Sequence, residues 1–157
     1  MSACKKDNLD VIVVVLGATT KKMRTTDSVK ILNYVFNNYS STNIESIIRS
    51  SFSDLETHFS NNITIKKSTD KATLELEDLG NTLFPLSTNE FSKLQVETYF
   101  LNNLEAPIQA GKKIGFLTIK LEDEILKKLD IYVKNNIEKK NFKIYYQELL
   151  KKAFNFL

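Results

Sequence analysis

A chain of 157 residues that is 42% hydrophobic and 10% aromatic can bury a real core, which excludes a disordered segment and fits one ordinary domain with flanking pieces. Its 22 basic and 19 acidic residues leave a formal net charge of +3, too small for an electrostatic footprint on nucleic acid, so no nucleic-acid partner is expected. One cysteine, Cys4, and one histidine, His58, rule out an internal disulfide and argue against a zinc site; no metal and no cofactor are expected, and no apolar run approaches the roughly 18 to 20 residues that cross a bilayer.

In chain order, Ser2 to Lys5, the polar turn Lys6 to Asn8 and Leu9 to Gly17 read as a hairpin. The run Val11 to Leu16 is β-branched and uncharged, and a strand of that kind needs covering on both faces. Left bare, it is expected to seek another copy of the chain, making a homo-oligomer through residues 11–16. Thr25 or Thr26 is read as the N-cap of a helix whose Val29, Ile31, Leu32, Val35, Phe36 and Tyr39 share one face. The Asn and Ser string from Asn37 to Asn43 reads as a linker and a domain boundary.

From Ile44 to about Lys134 the pattern is read as period two. Strands are expected at Ile63 to Lys67, Ala72 to Glu77, Leu94 to Leu101, Lys112 to Leu121 and Glu124 to Val133. The alternation places Ile63 and Ile65, Leu74 and Leu76, and Ile114, Phe116 and Thr118 on inward faces. Turn signals fall at Ser68 to Lys71, Asp78 to Asn81 and Glu122 to Glu124. The fold class that follows is mainly β, a small antiparallel β-sandwich.

Two stretches carry a resemblance. DVIVVVLGATTKKMRTTDSVKILNYVFNN, Asp10 to Asn38, resembles the closing strand and helix, "LIAVVLGA" then "DAxxLLDYxF", of the serine-type D-alanyl-D-alanine carboxypeptidases, the low-molecular-mass penicillin-binding proteins. LEAPIQAGKKIGFLTIKLEDEILKKLDIYV, Leu104 to Val133, is similar to the "L-x-A-P-x-x-x-G-x-x-V-G-x-L" hairpin of their small β domain, matching at Ala106, Pro107, Gly111, Gly115 and Leu117. The resemblance implies that residues 1–40 are the last hairpin and helix of an α/β catalytic domain, 41–138 the β-sandwich and 139–157 an amphipathic helix. It further implies the C-terminal part of a longer enzyme of peptidoglycan metabolism on the extracytoplasmic face of the bacterial cytoplasmic membrane.

That family's Ser-x-x-Lys, Ser-x-Asn and Lys-Thr-Gly motifs supply a nucleophile, its lysine partner and a substrate-holding strand. Here STDK at Ser68 to Lys71 falls in an expected β-turn, STN occurs at Ser41 to Asn43 and at Ser87 to Asn89, and Lys-Thr-Gly is absent from the sequence. The matches are read as accidental and no catalytic residue is assigned. His58 reads as a surface or strand-edge residue, and Glu75, Glu77 and the Glu122 to Glu124 cluster as solvated carboxylates.

Advancing about 100° per residue from Phe142 places Phe142, Tyr145, Tyr146, Leu149, Leu150 and Phe154 on one side of a helix, with Lys151 and Lys152 opposite. A wide apolar face beside lysines describes an interfacial helix attracted to anionic lipid, so these eight residues are the expected membrane or partner contacts. The function expected is that of a non-catalytic stalk and membrane-surface anchor; the alternative is a protein-interaction module using strand edges or this helix.

Overall fold

The computed structural model describes residues 1–68, 70–101, 103–142, 146 and 150. The chain opens with the expected hairpin: β1 (Ser2–Lys6) pairs antiparallel with β2 (Leu9–Val13), with Lys6 opposite Leu9. Its two loop residues, Asp7 and Asn8, have φ of 49° and 63°, the doubly left-handed geometry that matches hairpin twist and that Asn and Asp tolerate best.

Helix α1 (Lys21–Asn38) starts five or six residues earlier than the Thr25 or Thr26 cap suggested. Its N-cap is Thr20, whose extended backbone lets the side chain accept from the Met23 amide at 3.2 Å. Thr25, expected as a cap, lies inside the helix and donates back to the Lys21 carbonyl. Leu32, Val35, Phe36 and Tyr39 are half-buried, but Val29 and Ile31 of the expected inward face are exposed. On β2, Leu9 and Val13 are buried while Ile12 stands in solvent, and just beyond the strand Val14 and Leu16 are exposed as well.

The expected linker is the last turn of α1 followed by β3 (Ser40–Asn43), which pairs antiparallel with β5 (Leu83–Leu86). The next element corrects the period-two reading: Glu45–Asn62 is an eighteen-residue helix, α2. Ile44, Ile48, Leu55 and Phe59 are buried at helical spacing with Phe52 packed beside them. The usual capping signal is displaced, because Ile44 sits at the N-cap and the Asn43 side chain accepts from the Glu45 amide instead.

The main sheet is antiparallel with strand order β4 (Leu74–Leu76), β8 (Glu124–Val133), β7 (Lys113–Leu121), β6 (Leu94–Phe100). The mainly β, antiparallel class expected from the sequence therefore holds, with α2 added to the core. Ile63 to Lys67 is not a strand of this sheet; it makes one parallel bridge, Lys66 to Glu105.

Leu117 and Ile119 of β7, Leu129, Ile131 and Val133 of β8 and Leu74 of β4 join the α2 side chains in one core. Phe116 and Thr118, expected inward, take the opposite face. The cause is a bulge: Lys113 faces Tyr132 and Gly115 faces Ile131, so Ile114 is an extra residue that reverses the alternation after it. Ile114 itself is fully buried.

Candidate functional site

The residues that mimic catalytic motifs have structural occupations. The Ser68 oxygen accepts from the Asp70 amide at 2.9 Å within a turn, so Lys71 has no helical turn on which to rise beneath it. Ser41 and Asn43 belong to β3. Ser87 caps the short helix α3 (Thr88–Ser92): its oxygen accepts from the Glu90 amide, and the Glu90 carboxylate accepts from the Ser87 amide at 2.8 Å. The Ser87 amide, then its hydroxyl, hold the Glu90 carboxyl below its ordinary value.

The expected carboxylate clusters are also accounted for. Glu77 accepts from the Asp130 amide at 3.0 Å, Glu75 is exposed on β4, and Glu122 pairs with Lys93 at 2.9 Å in the turn joining β7 to β8. Among the described residues no group of three or more His, Cys, Asp and Glu side chains could hold a metal ion.

Of the expected contact residues in the C-terminal segment, Phe142, Tyr146 and Leu150 are described. All three are helical and 85%, 56% and 41% exposed. Their spacing of four puts them along one stripe of a helix, pointing into solvent rather than into the β core. Tyr145, Leu149, Lys151, Lys152 and Phe154 lie outside the described residues. No described helix is long and apolar enough to cross a membrane.

Two further surfaces were not apparent in the sequence. On the outer face of the main sheet Tyr99 stacks on Phe116 with ring centres 5.2 Å apart, and the Lys128 ammonium lies 3.9 Å from the Phe116 ring centre. Lys113 to Asp130 and Lys120 to Glu97, both at 2.5 Å, flank this group. On the inner side a groove of about 440 Å³ runs between α2 and β6, lined by Asp54, Leu55, His58, Val96, Thr98 and Phe100 among others. His58 is thus an exposed helical residue beside an edge strand. Once α2 is recognised by its Ile44, Ile48, Phe52, Leu55, Phe59 spacing, its packing against the sheet follows, and that spacing is the signal that would have found the groove.

The family model described as Penicillin-binding protein 5, C-terminal domain, matches residues 59–139, just over half of the chain. The chain belongs to that family. The match runs from Phe59 in α2 through the end of β8, the region that holds most of the core. The chain is also 28% identical over 149 residues to D-alanyl-D-alanine carboxypeptidase DacF of Bacillus subtilis (strain 168), covering 90% of this chain and 34% of the relative. Among solved structures it is similar to the D-alanyl-D-alanine carboxypeptidase DacD from Francisella tularensis, with a TM-score of 0.54 at 24% identity over 88% of this chain and 32% of that one. Penicillin binding protein 5 from Haemophilus influenzae gives a TM-score of 0.42 at 19% identity, over 80% of this chain and 34% of that one. The chain spans about a third of the length of these relatives.

Proposed function

We propose that this chain is the non-catalytic stalk and membrane-surface anchor of a serine-type D-alanyl-D-alanine carboxypeptidase acting on peptidoglycan stem peptides at the outer face of the cytoplasmic membrane. The observation that carries this reading is the exposed Phe142, Tyr146, Leu150 stripe, which begins three residues after the matched domain ends. Inserting three large side chains at roughly 1.5 to 3 kcal/mol each supplies ample gross affinity for an interface, before the cost of ordering the segment. Lys139 and Lys140, just before Phe142, add attraction to anionic headgroups.

The hairpin and α1 fit the same scheme. Ile12 on β2 and Val14 and Leu16 just after it are 67%, 59% and 87% exposed and form an uncovered apolar edge. In this reading that edge completes the sheet of the enzyme's catalytic domain, where residues 1–40 form its last hairpin and helix. Catalysis belongs to that domain, because the serines considered above are held by a turn, a strand and a capping box.

Flotation with anionic vesicles tests the anchor. The intact chain should rise with the lipid, and the Tyr146→Asp, Leu150→Asp double variant should stay below with an unchanged β-sheet circular dichroism signal. A chain that does not float, or a double variant that melts the β domain, would make the helix a packing element.

A further inference from the structure

The strand β6 ends the sheet order, so one of its edges pairs with β7 and, among the described residues, the other pairs with no strand. Which groups that edge offers follows from one hydrogen bond. The Leu101 amide donates to the Ile114 carbonyl at 2.8 Å, so Leu101 points its backbone groups at β7. Alternation then turns Gln95, Glu97 and Tyr99 the same way, and leaves the N–H and C=O groups of Val96 and Thr98 directed outward.

The side chains of Val96 and Thr98, with Phe100, line the groove against Leu55 and His58 of α2. A free strand edge and an apolar trough beside a helix therefore coincide on the same residues. That is the geometry in which an extended peptide adds as a further strand, its backbone satisfied by the edge and alternate side chains received by the groove. Two common guards of an edge are also absent, since the seven residues Leu94–Phe100 contain no lysine and no proline.

Charge selects the occupant. Asp54 is the groove's carboxylate and no lysine or arginine lines it. On the opposite face of β6 the Glu97 side chain, though paired with Lys120, is still 56% exposed. We propose that the β6 edge and the α2 groove form a docking site for an extended segment of a partner protein with apolar residues at alternate positions and lysine or arginine between them. This surface is separate from the membrane stripe, so its test does not depend on the anchor.

The probe is a fluorescently labelled peptide alternating valine with lysine, titrated with the full chain and followed by polarisation. Saturable binding is expected, weakened at least roughly tenfold when glutamate replaces lysine and when the peptide amides that would meet β6 are N-methylated. Asp54→Lys should weaken it as well. Thr98→Pro removes an outward donor without touching the β6 to β7 bonds, and should abolish binding while the sheet persists. If that variant unfolds, the N-methylated peptide on the unaltered chain decides the matter. Equal affinity for the methylated peptide, or no binding of the parent peptide, overturns the proposal. Self-association of the unliganded chain that Thr98→Pro removes would assign the edge to a second copy, and would also overturn it.

Discussion

Gly115 and Tyr99 approach so closely across β7 and β6 that a Cβ on Gly115 would lie 2.2 Å from the Tyr99 carbonyl oxygen and 2.8 Å from the Phe100 ring. The oxygen belongs to the backbone and cannot swing aside without disturbing the sheet. Gly115→Ala should therefore destabilise the domain by about 1 to 3 kcal/mol, read as a lower urea midpoint with an unchanged slope. An unshifted midpoint would show that the strands separate freely at this point.

Glu90 gives a pH signature. Its folded-state carboxyl is held below the ordinary value of 4.5 by the Ser87 amide and hydroxyl. A group depressed in the folded state stabilises above its unfolded value, and that contribution is lost as pH falls through the folded one. Glu90→Gln should therefore lower the melting temperature at neutral pH, with the gap to the parent chain closing as pH drops below about 4.5. A gap that stays constant with pH would mean the charge adds nothing to the cap.

The exposed apolar edge at β2 should drive association when nothing covers it. Light scattering at rising concentration is expected to show species larger than a monomer, reduced by Ile12→Lys with Val14→Lys. Val13→Lys is a poorer probe, since Val13 is buried and its replacement attacks the fold. A strict monomer, indifferent to the double change, would contradict self-association through residues 11–16.

Much of the architecture was legible in particular residues. The Asp7, Asn8 turn, the long β7 and β8 strands and the Gly111 reversal, with φ of 81°, are local devices whose chemistry sits in the residues themselves. Two features were hidden for physical reasons. Helix α2 starts without a capping side chain at its N-cap and lies in a stretch otherwise dominated by strands, so its helical spacing is hidden by the alternation that follows it. The Ile114 bulge depends on which strands pair, and one extra residue exchanged the faces of Phe116, Thr118 and Leu117. The groove beside β6 lies against α2, and so could not be located before that helix was placed.

The anchor is tested most directly by depth. The chain contains no tryptophan, so Tyr146→Trp installs a single reporter in the middle of the exposed stripe. With anionic vesicles its emission should move to shorter wavelength and be quenched by lipids brominated on the upper acyl chain, and high salt should reverse this only in part, because most of the energy is apolar. Emission that stays at its aqueous position under excess anionic lipid, with no quenching, would contradict the membrane-surface role.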